Sequence, residues 1–254
     1  AAMAYAAATD GMAACLVSTG CAAANAVTAT LCAYQDNLPV IFISGQNMLH
    51  ETTAYTGLSI RTFGSQETNI IPIVKSVTKY AEMLTEPDQV GNMLDKALGA
   101  ANGGRKGPVW IDVPLDIQNA RVRSRDADRE ETIPEAVCPR ISREDICSTA
   151  EELNRAKRPV VLIGGGVRSS GAVRQIGRFV ETNRIPLVFS ASAADTYGAS
   201  HELSVGAVGS LGGSRAGNFA VQNADFVLAI GTKLCSQSVG NFEGFAREAK
   251  VFVA

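Results

Sequence analysis

Residues 13–46 read AACLVSTGCAAANAVTATLCAYQDNLPVIFISGQ, and this stretch decides the fold. It opens on a short apolar run, 13–18, that ends in polar and glycine residues, as a buried parallel strand does. Thr19 and Gly20 lead into an alanine-rich segment, about 21–36, that is predicted as a helix. Asn37-Leu38-Pro39 ends it, because proline disfavours helical geometry in the residue before it. VIFIS, 40–44, is the clearest buried strand of the chain, and Gly45-Gln46 closes it. Strand, helix and strand in this order make one unit of a parallel sheet.

The same alternation continues on both sides. Residues 47–65 read as irregular, a helix is predicted over 86–102 with Pro87 in its first turn, and PVWIDVP (108–114) is another buried strand. Eight of the eleven residues 121–131 are charged, and Pro134 and Pro139 follow, which marks an exposed connector. A second series starts at Ser142, a helix N-cap with Asp145 three residues on, and the helix runs to about Ala156. PVVLIGGG (159–166), a helix over 170–182, IPLVFS, a Gly- and Ser-rich stretch to 214, a helix over 214–223, DFVLAIG and a final KVFV complete it. The expectation is an α/β protein of two Rossmann-like parallel-sheet domains with helices on both faces: 1–120, a linker over 121–140, and 141–254.

Composition agrees with two domains, since 254 residues at about 150 per domain gives roughly that number. With 19% charged residues and a net charge of −2 the chain is globular, and 23 basic against 25 acidic residues argues against nucleic acid as partner. No apolar run approaches the ~18 residues of a membrane helix. Six cysteines lie apart without CxxC pairs, and His50 and His201 are the only histidines, so no metal site is expected. The cysteines read as reduced and mostly buried in a cytoplasmic protein. The first sixty residues carry only Asp10, Asp36 and Glu51 as charges, and thirteen of the first thirty residues are alanine. Such a segment lacks a solvated face, so it is expected to be covered within the fold or by a second subunit. A chain that opens on alanines inside a helix is expected to be a piece of a longer polypeptide.

Four places carry candidate chemistry. Gly164, Gly165 and Gly166 follow a strand and precede a helix, where backbone amides can cradle a phosphate; a tight strand-to-helix turn accounts for them equally well. Thr19-Gly20-Cys21 is another strand-to-helix junction, of the kind where open α/β sheets place ligands. Gln66-Glu67 sits in a loop after a glycine, where Glu67 reads either as a general acid or base or as a solvated carboxylate. His50 and Glu51 are neighbours without a third partner. From the residues alone, two functions stay open: an enzyme, or a non-catalytic nucleotide-binding regulatory or structural module.

Taken together, the segments resemble the thiamine diphosphate-dependent enzymes, and among them the acetolactate synthases. LVSTGCAAANAVTA (16–29) is similar to the family's strand–SGPGATN–helix segment, and AYQDNLPVIFISGQ (33–46) to its segment ending in GQ. SQETNIIPIVKSVTKYA (65–81) is similar to its FQE segment, and GRKGPVWIDVPLDIQ (104–118) to the strand that closes its pyrimidine-binding domain. RPVVLIGGGV and VGAVGSLGGSRAGNFAVQNADFVLAIGTKL resemble its central domain.

The resemblance implies a lyase or carboligase (transferase) acting on a 2-oxo acid, a homodimer or tetramer joined through the pyrimidine-binding domain, and thiamine diphosphate with Mg2+ held by a further C-terminal domain. The family's activating glutamate is expected upstream of Ala1, so no catalytic residue is assigned within the chain, and the chain alone is expected to be inactive. Gly20, Cys21 (in the place of a proline) and Asn25 fall on the segment facing the aminopyrimidine, and Gln66 falls close to the cofactor. Ser65 stands in the place of a phenylalanine, and Gly45 and Gln46 fall on a loop at the subunit interface. Gly164, Gly165, Gly166, Gly231 and Thr232 match loops that face FAD in the synthases and ADP in some relatives. The synthases' acidic motif is replaced here by Lys233-Leu234-Cys235-Ser236-Gln237.

Overall fold

The computed structural model describes residues 1–123 and 140–254, which fall into two compact units, 1–138 and 139–254. Most of the 121–140 connector therefore lies outside the described residues, as does Cys138.

The first unit holds a four-stranded sheet of β1 (Ala13–Val17), β2 (Val40–Gln46), β3 (Tyr80–Met83) and β4 (Val109–Pro114), in the order β1-β2-β4-β3. All pairings are parallel. Alternation of side chains along each strand sends Val40, Phe42 and Trp110 to one face and Ile41, Val109 and Ile111 to the other. The first face is covered by the helical segments Ala2–Thr9, Cys21–Asn25, Val27–Gln35 and Ile70–Val74. Their contact residues Ala6, Ala23, Ala26 and Ala33 are small enough to bring helix backbone close to the sheet, which accounts for the alanine-rich start. Phe42 and Trp110 stack in this layer with ring centroids 5.2 Å apart. The helix Val90–Asn102 covers the opposite face through Met93, Ala97 and Ala101.

The predicted helix 21–36 is interrupted at Ala26, and its end is set by Asn37 as well as by Pro39: Asn37 takes a left-handed φ of 56°, a conformation asparagine tolerates.

The second unit holds a five-stranded parallel sheet of β5 (Pro159–Ile163), β6 (Leu187–Phe189), β7 (Ser204–Ala207), β8 (Phe226–Ile230) and β9 (Lys250–Val253), ordered β7-β6-β5-β8-β9. The chain leaves β5 toward β6 and β7, then crosses back to β8 and β9. Adjacent β5 and β8 thus form the point where strand order reverses, the place where such sheets open a crevice at the carboxyl ends of their strands. Helix Val173–Asn183 covers one face and helix Arg215–Asn223 the other. Ser142 caps helix Arg143–Arg155 as expected, its hydroxyl accepting from the Asp145 amide at 3.0 Å. The expected helix over 170–182 is instead a turn at Gly166–Ser169 followed by Val173–Asn183, separated by Gly171 at φ 69°.

The expectation of mostly buried cysteines is corrected. Cys21, Cys32 and Cys147 are exposed, and Cys15 and Cys235 are half-buried; all five are free thiols. Cys21 and Cys32 lie on helices whose buried positions are Ala23, Thr30 and Ala33, and Cys147 lies on a helix with no buried residue.

Candidate functional site

In the first unit the candidate residues gather beyond the carboxyl end of β1. Gly20 has φ 64° and ψ −122°, a conformation that L side chains rarely adopt. A Cβ at Gly20 would lie 2.1 Å from the Gln66 carbonyl oxygen, so the turn after β1 and the loop carrying Gln66 meet backbone to backbone. Gln66 itself takes a left-handed φ of 58°. Cys21 and Asn25 are four residues apart on the short helix that follows and therefore share a face. Cys21, Asn25 and Gln66 are all exposed. The tertiary structure thus brings together Gly20 and Gln66, two positions distant in the chain. The exposed Cys21 thiol and the Asn25 and Gln66 amides are carried by the two segments that meet at this contact.

A buried polar network stands behind this contact. Gln46, at the end of β2, is 7% exposed, and Asp112, in β4, is 1% exposed. Gln46 Nε2 donates to Asp112 Oδ2 at 3.0 Å and to the Thr68 carbonyl at 2.9 Å. Gln46 Oε1 accepts from the Thr19 hydroxyl at 2.9 Å and from the Asn47 amide at 3.0 Å. Ser44 donates to Asp112 Oδ1 at 2.5 Å and accepts from Trp110 Nε1 at 2.8 Å. Burial pushes the Asp112 carboxyl up to about 6, against the opposing pull of its hydrogen bonds from Ser44 and Gln46.

In the second unit the loops after β5 and β8 lie in contact at the strand-order reversal. The Gly164 amide donates to the Ile230 carbonyl at 3.0 Å, and the Gly166 amide to the Gly231 carbonyl at 2.9 Å. A Cβ at Gly164 would lie 2.4 Å from the Gly231 oxygen, and one at Gly231, whose φ is 59°, 2.6 Å from the Val167 nitrogen. The expected amide cradle is therefore corrected at these two positions: both N–H groups are consumed by the neighbouring loop, and the glycines serve close backbone approach. The loop that follows Thr232 carries Lys233 and no carboxylate before Gln237. It is tied to the loop after β7 by the Ser210 amide, which donates to the Gln237 carbonyl at 2.9 Å. Arg215 lies 5.9 Å over the Phe219 ring. Among the described residues no cluster of three or more His, Cys, Asp or Glu is placed to hold a metal ion, and no helix is long and apolar enough to cross a membrane.

Comparison with known proteins decides the family. Residues 1–73 match the profile of the thiamine pyrophosphate enzyme N-terminal TPP binding domain, and residues 146–254 match the thiamine pyrophosphate enzyme central domain. The chain belongs to the thiamine pyrophosphate enzymes. It is 31% identical over 251 residues to an acetolactate synthase of Arthrospira platensis, covering 97% of this chain and 42% of that protein. It is 32% identical over 246 residues to the acetolactate synthase isozyme 1 large subunit of Escherichia coli, covering 96% and 41%. The large subunit of Corynebacterium glutamicum acetolactate synthase is 32% identical over 261 residues, covering 100% and 39%. The chain thus spans about two fifths of the length of these thiamine pyrophosphate enzymes.

Glu67, beside Gln66, is neither solvated nor poised as an acid or base. It is 3% exposed and accepts from the Thr53 amide at 2.7 Å, the Thr53 hydroxyl at 2.6 Å and the Phe63 amide at 2.7 Å. Burial alone pushes its carboxyl up, but these hydrogen bonds outweigh burial and hold it below its ordinary value. Its work is to fold the 53–63 loop onto the Gln66 segment. Asp112 escaped the sequence reading. The available signal was a carboxylate in the middle of the apolar run PVWIDVP, at a position where a charge survives only with buried partners.

Proposed function

We propose that the chain supplies the pyrimidine-facing and central portions of a thiamine diphosphate-dependent enzyme acting on 2-oxo acids, as an acetolactate synthase does. The observation that supports the reading is the close backbone approach of Gly20 to Gln66, which joins the segment carrying Cys21 and Asn25 to the loop carrying Gln66. When bound, thiamine diphosphate supplies the electron sink for cleaving or joining the carbon bond beside the 2-oxo group. The chain's residues bind and orient. Gly20 admits the close approach of the two loops, and the Asn25 and Gln66 amides offer donors and acceptors to a ring edge. The Cys21 thiol fills the place next to the helix start.

Magnesium and the diphosphate would be held outside these residues. The second unit is read as empty or as taking a nucleoside diphosphate weakly, with Gly165 and Thr232 lining its crevice beside Gly164, Gly166 and Gly231. Assembly with a second copy through the first unit is supported by exposed apolar side chains where the charge is lowest: Leu16 is 74%, Tyr5 60% and Tyr34 44% exposed. A cytoplasmic location accords with the free thiols.

The test is consumption of pyruvate by the polypeptide that carries this chain, supplied with thiamine diphosphate and Mg2+. Cofactor-dependent loss of the 2-oxo acid is expected. A cofactor-loaded preparation that leaves pyruvate and other small 2-oxo acids untouched overturns the reading.

A further inference from the structure

Gln46 is held in one orientation by four partners of opposite kind. Its nitrogen faces two acceptors, Asp112 Oδ2 and the Thr68 carbonyl; its oxygen faces two donors, the Thr19 hydroxyl and the Asn47 amide. Rotating the amide by half a turn would set its nitrogen against the Asn47 N–H and its oxygen against the carboxylate and a carbonyl. Three hydrogen bonds would be lost around a side chain that is itself buried. Asp112 in turn is fixed by Ser44, and Ser44 by Trp110. The orientation is therefore transmitted from the sheet core outward.

The two outer partners of Gln46 are the informative ones. Thr19 precedes Gly20 and Cys21, and Thr68 follows Gln66 and Glu67. One side chain thus grips, on either side, the two segments whose backbones meet at Gly20 and Gln66. That contact tolerates little slack, because a side chain at Gly20 would already collide with the Gln66 oxygen.

We propose that Gln46 is a positioning residue, oriented by Asp112, that holds the 19–21 turn and the 66–68 segment in register so that Cys21, Asn25 and Gln66 present one surface to the aminopyrimidine of the cofactor. The proposal rests on the cofactor reading above for the identity of the ligand, and on the network alone for the clamp. It extends beyond the residues at the contact to one buried behind them.

The test pairs Thr19→Val with Thr19→Ser. Valine keeps the shape of threonine and removes the hydroxyl, whereas serine keeps the hydroxyl and loses a methyl group. A packing role would favour valine; the clamp favours serine. Gln46→Leu removes the whole clamp, and the Thr19 pair keeps the experiment decisive if that variant fails to fold. Amide hydrogen exchange of the chain is followed at Ala24, Asn47 and Glu67, with helix Val90–Asn102 as the internal reference. In Thr19→Val, exchange at these three amides is expected to rise about tenfold, while the reference helix is unchanged and Thr19→Ser behaves as wild type. Thr19→Val exchanging like wild type, or Thr19→Ser failing like Thr19→Val, overturns the clamp, as does a uniform rise that includes the reference helix.

The second arm is run on the whole polypeptide that carries this chain, with thiamine diphosphate and Mg2+ added. Wild type and Thr19→Ser are expected to gain protection over 19–25, and Thr19→Val to need about tenfold more cofactor for the same protection. Equal protection of Thr19→Val and wild type overturns the positioning role. If the wild type gains no protection, the cofactor reading is what fails, and the clamp is decided by the exchange measured without cofactor.

Discussion

Asp112→Asn probes the buried network through its dependence on pH. The wild-type carboxyl is pushed up to about 6 from an ordinary value of 3.8, so the folded first unit holds this proton more tightly than the unfolded chain does. Stability from this residue is therefore present at low pH and declines as pH rises, from the unfolded value near 3.8 to the folded value near 6. The full difference of about two units corresponds to about 3 kcal/mol, and between pH 4.5 and 7.5 the loss amounts to about 2 kcal/mol. Asparagine cannot titrate and removes this slope, at the cost of setting its own NH2 group against Gln46 Nε2. Other carboxylates are common to both proteins and cancel in the difference.

The chain contains a single tryptophan, Trp110, which belongs to the first unit and donates to Ser44 within the network. Its fluorescence follows urea unfolding of that unit apart from the second. The difference in unfolding free energy, Asp112→Asn minus wild type, is expected to increase by about 2 kcal/mol between pH 4.5 and 7.5. Native wild-type fluorescence is expected to titrate with a midpoint near 6 that the variant lacks. Parallel stability profiles over that interval would refute the reasoning.

Three further outcomes are expected. Glu67→Gln replaces an acceptor of three hydrogen bonds by a group with one acceptor oxygen, and should cost about 1.5–3 kcal/mol in Trp110-monitored melts at pH 7; because the wild-type carboxyl is held below its ordinary value of 4.5, the cost should shrink as pH falls through the folded value, and a cost constant down to acid pH contradicts the assignment. Gly164→Ala would place a methyl group 2.4 Å from the Gly231 oxygen and should destabilise the second unit by about 2 kcal/mol or more in thermal melts followed by circular dichroism, whereas Gly244→Ala, with open space around it, should be nearly neutral. Purified protein should be colourless, and flavin absorbance bound stoichiometrically would return the second unit to the flavin-holding synthases.

Both α/β units were legible in the sequence wherever a strand is buried on both sides. VIFIS, PVWIDVP, PVVLI and DFVLAI are continuous apolar runs because helices cover both faces of their sheets. The edge strands YAEM (80–83) and SVGA (204–207) were not legible because neither carries an apolar run, whereas the other two edge strands, β1 and β9, were read from theirs although β1 is only partly buried, with Leu16 74% exposed. The glycines at 20, 164, 166 and 231 announced special backbone, but whether they bind a ligand or let two loops touch depends on what stands opposite. Only the fold places Gln66 against Gly20 and Gly231 against Gly164 and Gly166. Gln46, Asp112 and Glu67 carry the same lesson. A polar side chain advertises its chemistry in the sequence, whereas its partners, and with them its proton affinity and its role, come from strands and loops distant in the chain. Local sequence therefore determined which segments are strands and helices, because burial and backbone geometry act over a few residues. The tertiary structure alone decided which polar groups meet, because hydrogen bonds form between neighbours in space.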